Sequence, residues 1–168
     1  MKTSNAKFLN KLALISTVAI IAATGVSAQA DTTTKDLEVS ANVIKSCIIT
    51  TTPLAFGAYN PVTSATLDAT GNINVACTNG TAGAYITLSE GENSLDSINR
   101  RLTDGANFLP YTLSSDRNRS QVWLPSTQIP LDTFTATTQD TIVYGRIASN
   151  QNVPVGDYSD TVVVTVTF

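Results

Sequence analysis

The chain contains no histidine. Ser-His and Cys-His nucleophilic sites need an imidazole as base, and most zinc sites need one as ligand, so both classes fall at once. Cysteine is almost as scarce, with Cys47 and Cys77 alone. Two sulfurs without a histidine argue against a metal centre. Charged residues make up 14% of the sequence and form no basic patch or polybasic run, which argues against nucleic acid or a membrane surface as partner. Gly-rich phosphate loops and calcium-loop patterns are absent. The carboxylates offer little more. Asp157 and Asp160 bracket Tyr158, Glu90 and Glu92 sit in an expected turn, and all four read as solvated loop charges. A single tryptophan, Trp123, reads as packing rather than a sugar platform. Neither enzymatic activity nor a cofactor is expected.

What the sequence does contain begins with an export signal. Lys2, Lys7 and Lys11 give a basic start, Leu12 to Val26 is a mostly apolar stretch without charge, and Ala28-Gln29-Ala30 has the small-x-small pattern that a signal peptidase cuts after. A membrane-spanning helix needs about 20 apolar residues, more than this stretch supplies. Residues 1–30 are therefore read as a signal peptide. Without its three lysines, seven basic residues face thirteen acidic ones, a net charge of −6. In an exported chain the even cysteine pair reads as a disulfide, closing a loop of about thirty residues worth ~3–4 kcal/mol in the chain-entropy model.

The rest has the texture of an all-β sandwich: Thr, Val, Ile, Ser and Asn dominate, and turn residues recur at short intervals. Leu37 to Ile49 is expected as a first strand, with Leu37, Val39, Ala41, Val43 and Cys47 on one parity. Leu54 to Tyr59 is a short run ending at the Asn60-Pro61 turn signal. Asn72 to Thr78 alternates, turning Ile73, Val75 and Cys77 inward, where Cys77 can bridge to a neighbouring strand. Ala84–Leu88, Phe108–Leu113, Gln121–Leu124 and Thr141–Ala148 are expected strands. Residues 92–107 and 128–138 are expected as connections.

The final stretch, Asp157 to Phe168, predicts a strand with Val162, Val164, Val166 and Phe168 on one face and Thr161, Val163, Thr165 and Thr167 on the other. A strand this apolar is expected to have a neighbour on each side. About six principal strands are legible, whereas an immunoglobulin-like sandwich has at least seven. A strand left bare at an edge pairs with other chains. The missing neighbour is therefore expected to come from a partner.

The segments Val43–Cys47, Leu54–Tyr59, Gly71–Thr78, Leu109–Leu113, Val143–Ile147 and Val155–Val162, in this order and spacing, resemble the spore coat protein U family. That family includes the pilin subunits of the archaic chaperone-usher pathway. The resemblance covers nearly all of the chain after residue 30, and its length is most like a shaft subunit. It implies an incomplete immunoglobulin-like fold lacking its last strand. In the periplasm a chaperone lends a strand; at the outer-membrane usher the N-terminal segment of the next subunit replaces it. The products are surface fibres used in attachment and biofilm formation.

On this reading residues 1–30 are a signal peptide, 31–43 a donor-strand segment and 44–168 the incomplete pilin domain. Leu37, Val39 and Ala41 are the expected donor anchors; the opposing expectation is that they are simply the domain's own first strand. Val162, Val164, Val166 and Phe168 form the expected acceptor edge. Expected partners are copies of this chain or related pilins, a periplasmic chaperone and an outer-membrane usher. The competing expectation is a minor or tip subunit that binds a surface or a carbohydrate.

Overall fold

The computed structural model describes residues 29–168 apart from 64, 97 and 136. The expected signal peptide lies, except for its last two residues, outside the described part. Two units are distinguished, Met1–Ser40 and Ala41–Phe168. In the first, residues 29–40 form no regular secondary structure, and Leu37 and Val39 are exposed. The second is a two-sheet β-sandwich. One sheet has the order β1 (Cys47–Thr52), β2 (Leu67–Cys77), β7 (Gln139–Ile147), β5 (Phe108–Ser114), β4 (Arg100–Thr103). The other has the order β6 (Ile129–Pro130), β3 (Tyr85–Leu88), β8 (Val164–Thr167). All the pairings are antiparallel.

Alternation builds the core. Ile73 and Val75 of β2, Leu109, Tyr111 and Leu113 of β5, and Val143 and Ile147 of β7 point inward from the larger sheet. They meet Ile86 and Leu88 of β3, with Trp123 and Phe134 contributed by connections. The outer face of the larger sheet carries a polar row across β2 and β7. Arg146 donates two hydrogen bonds to Asp68, at 2.7 and 2.8 Å, across the β2–β7 pair. Asn72 and Asn74 both donate to Asp140. Such exposed pairs add little stability, because water screens them. A one-residue slip would bury this polar row, so it helps to set the register.

Cys47 lies opposite Cys77, and their sulfurs are bonded, with 4.1 Å between the Cα atoms. This end of the sandwich is the disulfide pole. The opposite, far pole carries the start of β2 and the end of β7, where Leu67 faces Ile147. There the Tyr59 hydroxyl donates to the Ala148 carbonyl (3.1 Å) and accepts from the Gln151 amide (2.9 Å). These bonds hold the 60–63 turn beside the loop that follows β7.

Four expectations change. Residues 128–138, expected as a connection, contain the short β6, which pairs with β3. The first strand starts at Cys47 rather than Leu37, because the disulfide and Thr78 are what clamp the chain onto β2. Residues 92–107, expected as loop, contain β4, stabilised by a buried arginine described below. Gln121–Leu124, expected as a strand, makes a single bridge from Val122 to Ser114, because Trp123 there turns into the core.

Candidate strand-binding groove

The last strand changes sheets. Ser159 exchanges two backbone hydrogen bonds with Thr103 (both 2.9 Å), at the edge of the larger sheet. The chain then crosses to pair with β3 as β8. Among the described residues β8 has a partner on one side alone. The Ser89 amide donates to the Val163 carbonyl (2.9 Å), in register with the Leu88–Val164 pair. Bonding alternates along an antiparallel ladder, so Val163, Thr165 and Thr167 turn their backbone groups toward β3. Val162, Val164 and Val166 turn theirs toward the open side, while their side chains face the core and stay partly exposed.

Facing this edge across a cleft of about 350 Å³ are Thr51, Thr52, Pro53, Leu54 and Phe56. The cleft continues toward the far pole as a larger hollow of about 790 Å³, bounded by Leu54–Tyr59 on one side and residues 153–160 on the other. Two glycines let Leu54 and Phe56 lie flat on the sheet. A Cβ at Gly145 would come within 2.8 Å of Leu54 and 2.9 Å of Phe56, and one at Gly71 within 3.0 Å of the Thr52 carbonyl. Ile73, Leu113 and Val143 form the apolar floor. The result is a groove between the edges of the two sheets, lined by apolar side chains and bordered by unpaired backbone groups.

Asp160 gives the groove one polar fixture. Its carboxylate accepts from the Tyr111 hydroxyl (2.7 Å), the Asn93 amide (3.1 Å) and the Asn93 side chain (3.0 Å). Burial, and then this hydrogen bond to Asp160, push the Tyr111 phenol well above its ordinary value. A Cβ at Gly91 would collide with the same carboxylate, and Gly91 has a φ of +92°, which glycine adopts freely. Beneath lies Arg100, fully buried. It donates to the Ser89 carbonyl through Nε (3.1 Å) and Nη2 (2.7 Å), and to the Trp123 carbonyl through Nη1 (2.7 Å). Burial pushes its pKa down. Arg100 ties the ends of β3 and β4 to the Trp123 segment, and so fixes the sheet crossing from which the open strand departs.

Val162, Val164 and Val166 share the partly buried, core-facing side of the last stretch. Phe168 lies beyond the end of β8 and is 48% exposed. Leu37, Val39 and Ala41 are all exposed. Asp160, expected to be a solvated loop charge, is a partly buried hydrogen-bond hub; it shares the even parity of Val162 and Val164, a signal that was available in the sequence. Leu54 and Phe56 were visible as a short apolar run, but not as a groove wall. Trp123 is core, as expected. Among the described residues no cluster of acidic, thiol or imidazole groups is arranged to hold a metal, and no helix is long and apolar enough to cross a membrane.

Comparison with known proteins agrees with this architecture. Residues 33–165 match the family described as Spore Coat Protein U domain. Protein U of Myxococcus xanthus is 34% identical over 164 residues, covering 84% of this chain and 88% of that protein. Among solved structures, the chaperone–tip adhesion subunit pre-assembly complex CsuC–CsuE, from the archaic chaperone-usher Csu pili of Acinetobacter baumannii, has a chain that superposes with a TM-score of 0.53 at 24% identity. The match covers 75% of this chain and 40% of that one, and it shows a shared fold.

Proposed function

The chain belongs to the spore coat protein U family, and from that premise we propose that it is a structural subunit of a chaperone-usher pilus, polymerised by donor-strand exchange. The observation that carries the reading is the groove. A row of apolar side chains and an unpaired backbone edge are what an added β-strand satisfies, backbone bonds giving affinity and alternate side chains giving specificity.

Leu37, Val39 and Ala41 have the required period of two, and they lie in a segment that forms no strand of its own. Each fully buried Val or Leu contributes about 1.5–3 kcal/mol, and a few anchors make a long-lived joint. A strand given by one copy and received by the next is a head-to-tail contact that does not close on itself, so it builds a filament. Before assembly a periplasmic chaperone fills the groove, and an outer-membrane usher exchanges it for the donor. The product is an exported surface fibre serving attachment and biofilm formation. The subunit's role is structural, not catalytic.

Fibres extracted from cells and run unboiled on a denaturing gel test this. The native chain gives a ladder of multimers; Leu37→Asp and Val39→Asp abolish it while the subunit still binds its chaperone. An undiminished ladder from both variants places the donor elsewhere.

A further inference from the structure

The chain enters the sandwich at the disulfide pole, and Thr78 holds it there. The Thr78 hydroxyl donates to the Ile44 carbonyl (3.1 Å), its amide donates to the Ser46 carbonyl (2.9 Å), and the Ser46 amide donates back to the hydroxyl (3.0 Å). Val43, Ile44 and Lys45 thus form an exposed shoulder, the two apolar residues being 79% and 70% exposed. The far pole is also apolar. Val62 is 90% and Val155 fully exposed. Beside Val155 stand exposed Pro154 and Asp157, and a Cβ at Gly156 would lie 3.1 Å from the Asp104 carboxylate. Solvent-facing valines at both poles carry no role in the sandwich itself.

Chain direction decides which poles meet. β8 runs from the far pole, where Ser159 pairs with Thr103, toward the disulfide pole. A donor lying parallel to β8 would bring the incoming body to the disulfide pole, where the receiving copy sends out its own donor segment. An antiparallel donor uses opposite poles and lets copies follow one another. Ala41, the last anchor, lies three positions before the fixed Ile44, and an extended chain covers at most about 3.3–3.6 Å per residue, so roughly 10 Å in all. That is too short to leave a gap between the two bodies.

We propose that successive copies also meet body to body: the Val43–Ile44–Lys45 shoulder of the copy giving the strand packs on Val62 and Pro154–Val155 of the copy receiving it, with Lys45 facing Asp157. The inference rests on the donor-strand reading and adds a second interface to it, apolar on both sides and opposite in charge. It makes the joint stiff, because a strand alone leaves the two bodies free to swing about residues 41–43.

The test is a cysteine pair in assembled fibres, Ile44→Cys with Val155→Cys, both at exposed surface positions. The unboiled ladder reports donor-strand assembly. A ladder that survives boiling without reductant, collapses with reductant, and is missing from each single variant reports the body contact. An unboiled ladder that boils down to monomer in the double variant overturns the body contact and leaves the donor strand standing. Loss of the unboiled ladder in the native chain overturns the donor-strand reading itself. Val62→Asp with Val155→Asp gives an independent readout: fibres that still form a ladder but show a wider spread of angles between subunits in electron micrographs. Unchanged angles, or loss of adhesion to an apolar surface instead, overturn the proposal.

Discussion

Val143 and Ile147 of β7 are 7% and 1% exposed, while Val162, Val164 and Val166, on and leading into β8, remain partly exposed. Both stretches alternate β-branched residues with an inward apolar row. The difference lies in their neighbours. β7 is hydrogen-bonded on both sides, to β2 and β5; β8 is bonded to β3 on one side. Burial in a sheet thus measures completeness rather than composition. The partial burial of β8 goes with its one-sided pairing, and Leu54 and Phe56 wall the cleft across from it; on the proposed reading an added strand fills that cleft.

The contrast can be broken at several points. The largest effect belongs to the finished half. Trp123 is fully buried, and Trp123→Ala is expected to cost about 3–5 kcal/mol in the isolated subunit and in the fibre alike, read by denaturant titration. Replacing Cys47 and Cys77 together by alanine is expected to cost ~3–4 kcal/mol and to leave the ladder's dependence on Leu37 and Val39 unchanged. Val164→Ala separates the two states. In the isolated subunit it removes a fraction of the ~1.5–3 kcal/mol expected of a fully buried valine; in the fibre it removes the full amount. Equal losses in the two states would mean that nothing covers Val164 on assembly.

The smallest effect is acid sensitivity at the far pole. Hydrogen bonds from the Asn107 side chain, then from the backbone amides of Asn107 and Ala106, hold Asp104 down to about 2. A depressed carboxylate stabilises the fold above its unfolded value, near 4, and that contribution is lost as the pH falls toward 2. The melting temperature should drop across this window, and drop less in Asp104→Asn. An equal drop in both would assign the acid sensitivity to other groups.

Much of this was legible in the sequence, because alternation survives wherever one face is buried. The inward residues of β2 and the apolar row of β8 followed from parity, β5 and β7 were legible as strands, and the pairing of Cys47 with Cys77 across neighbouring strands was legible too. The rest depends on partners far apart in sequence. Arg100 reads as a loop charge until the carbonyls of Ser89 and Trp123 close around it. Leu54 and Phe56 become a wall only because Gly71 and Gly145 lie beneath them. Asp160 shows its inward direction by parity, but Tyr111 and Asn93, which satisfy it, lie 49 and 67 positions away. The period of Leu37, Val39 and Ala41 was plain; on the proposed reading the surface it fits belongs to another copy.

The account's central claim is that a strand from another copy pairs with the open edge of β8. Residue-resolved amide exchange, in the isolated subunit and in the fibre, tests it most directly. The Thr165 and Thr167 amides, facing β3, should be protected in both. The amides of Val162, Val164 and Val166 should exchange freely in the subunit and become protected in the fibre. If those three amides exchange as fast in the fibre as in the isolated subunit, no strand has been added to β8, and the account is wrong.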